Sequence, residues 1–326
     1  MKLQKFVRPL ILSLRRESRS GTAKAYKSTL QSILLYAGKD VELEIILTKE
    51  WLVGYEQWLI SRRRLRNTVS FYMRMLQSIY HQSVELNLIE HIPRLFAHVF
   101  TGYDPTEKRA LSADVISRIC QGELSGKKGL EFSRDMFMLS FYLHGISFVD
   151  MAYLRKTDWK GDSITYYRRK SKSYIHTPIC KEARLLFKKY ESLVSVDSPY
   201  LLPIITRTEK DDYEQYQTAL RNQNRRLKRI ALALGIEENL TTYVSRHSWA
   251  TIAHHEGVPT PHISQALGHQ TETVTRVYLA NFDDDVLRDA NELVLLAIKG
   301  GGGRSKKENV RYYNSDGHFL SANIKV

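Results

Sequence analysis

The chain has little cysteine, few acids for its bases and no long apolar run, and each shortage removes a class of protein. Only Cys120 and Cys180 occur among 326 residues. Neither belongs to a Cys/His ligand spacing, so neither a disulfide framework nor a structural zinc site is expected, and no other metal is implied. The apolar stretch at the start, in MKLQKFVRPLILSLRRE, is cut by Pro9 and stopped by Arg15-Arg16. It is too short for a secretory signal core or a membrane span, so the expected location is the cytoplasm, without a membrane partner. Asp and Glu number 35 against 49 Lys and Arg, a net charge of +14. That surplus points to a polyanionic partner, and phosphate contacts would make the binding strongly salt-dependent.

What is present is an ordinary globular composition, 43% hydrophobic and 26% charged, in a chain long enough for about two domains. Residues 1–103 read as helices. Ser20 or Thr22 can cap one that carries Tyr26, Leu30 and Ile33 and ends near Gly38. Thr48 precedes a second, striped by Trp51, Leu52, Tyr55, Trp58 and Leu59. Asn67 or Thr68 can cap a third, running to about Leu88. Between the last two lie Arg62, Arg63, Arg64 and Arg66, a basic cluster beside aromatics and a candidate phosphate contact. Residues 104–109, around Pro105, read as a linker.

Residues 110–299 read as a second, mixed domain. Ser112 caps a helix with Val115, Ile116 and Ile119. Arg134 to Leu154 is apolar almost all round, the pattern of one buried helix. Ile164–Tyr167 and Ser173–Ile179 flank a basic turn and predict a β-hairpin. Helices resume through Leu185–Phe187 and from about Tyr213 to Leu234, the latter carrying Arg221, Arg225, Arg226, Lys228 and Arg229 as a candidate surface for the polyanionic partner. Val286–Ile298 reads as a further helix, and residues 300–326, after Gly300–Gly303, as a polar, irregular and mobile tail. The fold class is therefore mainly α with a small β-hairpin or sheet.

One stretch, Thr241 to Asp284, organises the rest. It contains Tyr243, Arg246 and His247, then Leu267-Gly268-His269 in a turn between helices, then Tyr278 on what reads as one further helix. Singly, each is an ordinary structural residue, and Leu-Gly-His is a common helix C-cap. In this order and spacing they resemble the C-terminal signature of the tyrosine recombinases, the phage-integrase family: H-x-x-R-H, L-G-H, then a nucleophilic tyrosine. Tyr243 stands where that pattern has histidine.

The resemblance implies a helical core-binding domain followed by a catalytic domain that closes around duplex DNA. It implies Tyr278 as nucleophile, Arg246 as a two-pronged phosphate donor and His269 as a second donor. A lysine on the hairpin turn would protonate the leaving 5′-oxygen. Counting back eight residues from Pro178 selects Lys170, with Lys172 the alternative. The chemistry would be strand transfer through a 3′-phosphotyrosyl link and a Holliday junction. Four protomers would act on two duplexes at the nucleoid, without a cofactor, and accessory DNA-bending proteins are candidate partners.

Two positions depart from the pattern. Tyr243 is retained as a phosphate ligand, while His247 reads as a structural hydrogen-bonding group. In the frame G-[hydrophobic]-R-x-x-[E/D] the chain has Gly145-Ile146-Ser147-Phe148-Val149-Asp150, with serine for the first arginine. A bacterial branch of integrases resembles this chain there. A substitute cation is expected near Ser147. His144 would share a helical face with Ser147, and Arg168 would share a strand face with Lys170. Arg168 has the better charge and reach. Readings outside recombination are a type IB-like topoisomerase and a DNA-binding protein that has lost catalysis.

Overall fold

The computed structural model describes residues 1–104, 110–124, 127–271, 273–275, 307–313 and 319–325. The protein is mainly helical with a small antiparallel sheet, and it divides into two compact units, Met1–Glu107 and Lys108–Val326.

The first unit contains α1 (Leu3–Arg16), α2 (Ser20–Ala37), the short α3 (Leu43–Ile46), α4 (Lys49–Ser61) and α5 (Arg66–Glu85). The apolar run at the start forms α1 despite Pro9, because Leu3, Phe6, Val7, Ile11 and Leu14 make one buried stripe. Burying five such side chains outweighs the roughly 3 kcal/mol that an interior proline costs a helix. Thr48 caps α4 as expected, accepting from Trp51 N, and Gly38 closes α2 in the left-handed conformation at φ +71°. The other expected caps are not used. α2 begins after Arg19 with no side-chain cap, and α5 begins at Arg66. Asn67 is instead committed to tertiary structure: its side chain donates to Asp104 O at 2.6 Å and accepts from Asp104 N at 2.8 Å.

The second unit is built on α7 (Lys128–Tyr142), which packs against α6 (Ala113–Gln121), α9 (Lys181–Glu191), α10 (Asp212–Ala233) and α11 (Val244–His255). Ser112 caps α6 as expected. Three polar ties orient the bundle. Asp135, buried on α7, accepts from Lys189 Nζ at 2.6 Å and Tyr190 OH at 2.7 Å, fixing α9. Ser133 O accepts from Gln223 Nε2 of α10 at 2.7 Å, and Phe137 O accepts from Ser245 Oγ of α11 at 3.1 Å. The hairpin is present as β2 (Ser163–Tyr167) and β3 (Tyr174–Pro178), with a further short strand β1 (Trp159–Lys160) on the other edge of β2.

Two further expectations fail. Arg134–Leu154 is not one helix. α7 stops at Tyr142 and α8 (Phe148–Ala152) starts afresh, capped by Ser147. The break is a turn in which His144 (φ +55°) and Gly145 (φ +73°) are left-handed, closed by Gly145 N donating to Ser140 O. The tail is not irregular throughout: Lys307–Tyr313 (β4) pairs with Phe319–Lys325 (β5) as an antiparallel ribbon. The intervening Asp316-Gly317 is a hairpin signal in the sequence. The helix expected over Val286–Ile298 lies outside the described residues.

Asp135 supplies an expected outcome. Burial opposes its ionisation, but Lys189, Tyr190 and Arg134 more than offset it, holding the carboxyl below the ordinary range. Asp135→Ala should therefore lower unfolding stability by about 3 kcal/mol in denaturant titrations near neutral pH. That difference should shrink as pH falls through the depressed pKa, where the native carboxylate is protonated anyway.

Candidate active site

Arg246 lies in the first turn of α11, 2% exposed. Its Nη1 donates to Gly145 O at 2.9 Å, and its Nη2 donates to Leu267 O and lies 3.2 Å from His269 Nε2. Gly145 is required for this approach, since a Cβ there would stand 2.8 Å from Arg246 Cα. Leu267 ends α12 (Thr260–Leu267), and Gly268 caps it at φ +62°. A side chain at 268 would strike Ile175 of β3 and come within 2.8 Å of Arg168 Cδ. The Leu-Gly-His turn is thus the point where α11, α12 and the hairpin meet.

Arg168 reaches the same turn from the hairpin side. Its Nη1 donates to Leu267 O at 3.0 Å and Gly268 O at 3.1 Å. Two guanidiniums from different elements therefore share one carbonyl. Arg168 Nε lies 3.5 Å from Asp150 Oδ2, an ion-pair distance without a hydrogen bond. Among the described residues, Arg246 has no carboxylate partner, and the buried Nε of each arginine has no hydrogen-bond partner. Like charges this close and this buried repel, and one carboxylate balances only one of them. The arrangement suits an anion that accepts from both.

His269 completes the rim. Its Nδ1 lies 2.8 Å from Thr275 Oγ1, and burial followed by the charges of Arg246, Arg168 and Lys170 drops its pKa to about 4. It is neutral near pH 7, with Nε2 facing an arginine donor and so holding the acceptor lone pair.

The remaining expected site residues fall in different places. Ser147 Oγ donates to Asp150 Oδ2 at 2.7 Å and accepts from Asp150 N at 3.3 Å. His144 does not share a helical face with Ser147, because the turn separates them; its ring lies tilted against Trp249 at 5.0 Å and burial lowers its pKa, so it is a poor cation. Arg168 and Lys170 do not share a strand face either. Pairing ends at Tyr167–Tyr174, and in the turn beyond it Arg168 is buried while Lys170 and Lys172 are exposed. Tyr243 precedes α11, 43% exposed, its ring edge-on to His247 at 4.8 Å. Arg62, Arg63, Arg64 and Arg66 are exposed at the α4–α5 junction of the first unit, with Arg62 over Trp58 and Arg66 over Phe100. Tyr278 lies outside the described residues. Sequence reasoning passed over Thr275 and Gln270; spacing alone gave no signal for either. Among the described residues no group of three or more His, Cys, Asp or Glu could hold a metal ion, and no helix is long and apolar enough to cross a membrane.

Residues 110–284 match the phage integrase family, and residues 2–98 match the phage integrase SAM-like domain. The chain belongs to the phage integrase family. Its fold is similar to lambda integrase crystallised as a dimer bound to a COC′ core site, with a TM-score of 0.63 and 15% identity over 85% of this chain and 95% of that one. It is similar to the Tn1549 transposon integrase in complex with transposon right end DNA, with a TM-score of 0.59 and 12% identity over 90% and 100%. It is also similar to a lambda integrase tetramer bound to a Holliday junction, with a TM-score of 0.61 and 15% identity over 85% and 77%. At these identities the likeness is one of fold. No curated protein matches the chain.

A histidine-resolved NMR titration should place the His269 midpoint near 4, well below its ordinary 6.5. Because the unfolded chain binds this proton more readily, unfolding stability should fall as pH drops from 6.5 towards 4. A midpoint at or above 6.5 would contradict the buried, arginine-flanked placement.

Proposed function

We propose that the protein is a site-specific tyrosine recombinase that cuts and rejoins double-stranded DNA through a 3′-phosphotyrosyl link to Tyr278. The observation that supports this most is the convergence of Arg168 and Arg246 on Leu267 O with, among the described residues, a single carboxylate to balance them. A scissile phosphate would complete that balance. Arg246 would hold one non-bridging oxygen and Arg168 the other, in place of the arginine absent at Ser147. Tyr243, exposed beside Arg246, would add a hydroxyl contact.

The reaction then runs in two reversible steps. The Tyr278 oxygen bonds to phosphorus while the bond to the 5′-oxygen breaks; the phenol proton passes to solvent and Lys170 gives its proton to the leaving oxygen. A 5′-hydroxyl from the partner duplex reverses these steps, so the phosphotyrosyl bond conserves the energy and no nucleotide cofactor is consumed. His269 donates to phosphate only after Nε2 gains a proton. The anion favours that protonation by opposing the arginine field that keeps the ring neutral. In this reading residues 1–103 are a core-type DNA-binding domain that contacts phosphates through Arg62, Arg63, Arg64 and Arg66. Residues 104–109 are a linker and four protomers assemble on the junction, as lambda integrase does on a Holliday junction. The protein acts on cytoplasmic DNA.

The test is covalent trapping on nicked duplex DNA from the gene's own neighbourhood, resolved on a denaturing gel. An adduct is expected, absent in Tyr278→Phe and reduced about a hundredfold or more in rate in Arg168→Ala. Full activity in Arg168→Ala would overturn its phosphate role. Ser147 favours a second reading, a DNA-binding protein without catalysis. Salt-dependent DNA binding with no adduct would establish that one, and relaxation of supercoiled DNA lacking any specific site would instead indicate a topoisomerase.

A further inference from the structure

The hairpin turn that carries Lys170 is fastened on both sides of that residue. Before it, Arg169 N donates to Asp150 Oδ1 at 2.8 Å, and the Arg169 guanidinium lies over the Tyr153 ring at 3.7 Å from its centroid. After it, Ser171 O accepts from Gln270 Nε2 at 3.2 Å, and Gln270 directly follows His269 of the Leu-Gly-His turn. The turn is also closed on itself, with Lys172 N donating to Arg168 O and Arg168 N to Ser173 O, each at 2.9 Å. Lys170 is exposed between these anchors. A six-residue basic turn would ordinarily sample many conformations, and fixing one at the moment of reaction costs rate.

We propose that the Arg169–Tyr153 stack and the Gln270–Ser171 bond clamp the turn against the pocket before DNA arrives, so that Arg169, Tyr153 and Gln270 are positioning residues for proton delivery by Lys170. This rests on the reading of Lys170 as the acid. Arg169 is thereby not a phosphate contact, although it sits in one of the most basic runs of the chain. Gln270 acts only through the main chain of its neighbour and touches no reacting atom.

The test uses the whole protein and a cleavable duplex in two forms, one with the natural scissile phosphodiester and one with sulfur in place of the bridging 5′-oxygen. In the second form the Tyr278 oxygen bonds to phosphorus, the P–S bond breaks, and sulfur leaves as a thiolate without needing a proton. Arg169→Ala and Gln270→Ala should slow cleavage of the natural duplex about tenfold to a hundredfold and cleave the sulfur duplex at close to the unsubstituted rate. Arg169→Lys, which keeps a cation over the ring, should retain most of the activity. Equal losses on both duplexes, or no loss on either, would overturn the positioning role. Hydrogen exchange on the DNA-free protein separates the clamp from the chemistry. The Arg169 and Lys172 amides should exchange faster in both alanine variants, and unchanged exchange would show that no clamp exists. Faster exchange together with a Lys170→Ala variant that the sulfur duplex does not restore would show that Lys170 is not the acid, and the positioning role would fall with it.

Discussion

One carbonyl oxygen, that of Leu267, carries the arrangement on which the rest depends. It accepts from Arg246, delivered by α11, and from Arg168, delivered by the hairpin. Two guanidiniums held at one acceptor would separate if their elements were free to move. They are not free, because α11 is tied to α7 through Ser245, and the hairpin packs on Gly268 through Ile175. Glycine at 145 and at 268 lets Arg246 and the hairpin come this close. Among the described residues one carboxylate faces these two guanidiniums, and buried groups left unsatisfied in this way concentrate where a ligand is to be held.

Serine at 147 fits this arrangement. It caps α8, and its hydroxyl occupies one oxygen of Asp150 while the other takes the Arg169 amide. An arginine at 147 would need room beside Asp150, where Arg168 now lies. The serine and the hairpin arginine are therefore one arrangement, in which the cation comes from a neighbouring element to the same carboxylate. Burial, then the nearby arginine field, keeps His269 neutral, with its Nδ1–H facing Thr275 Oγ1.

Much of the fold was legible because its signals are local. Thr48 and Ser112 cap helices, Gly38 and Gly268 end them, and the hairpin lies where alternating apolar residues flank a basic turn. The failures share a cause: a tertiary partner or a loss of regular structure overrides a periodic pattern. Apolar residues on both sides of the 143–147 turn concealed the break in Arg134–Leu154, and only Gly145 hinted at it. Strand alternation put Arg168 and Lys170 on one face, but the rule holds only while strands are paired. Arg168 was found for a reason that does not survive, and it sits at the site for another: its reach to the carbonyls of Leu267 and Gly268. Asn67 looked like a helix cap and is used by Asp104, far along the chain. Thr275 and Gln270 had no sequence signature, since each matters only through what the fold places beside it.

The account stands or falls on the claim that Arg168 and Arg246 supply the two positive charges for one phosphate. Replacing a non-bridging oxygen of the scissile phosphate by a methyl group removes the negative charge while leaving phosphorus open to attack. Cleavage of that neutral methylphosphonate duplex by Arg168→Ala, compared with the ordinary duplex, is the most direct measurement. If Arg168 neutralises phosphate, the variant should be severely slowed on the ordinary duplex and close to the unsubstituted protein on the neutral one. An equal loss on both would mean that Arg168 only braces the hairpin, and the paired-guanidinium account would be wrong.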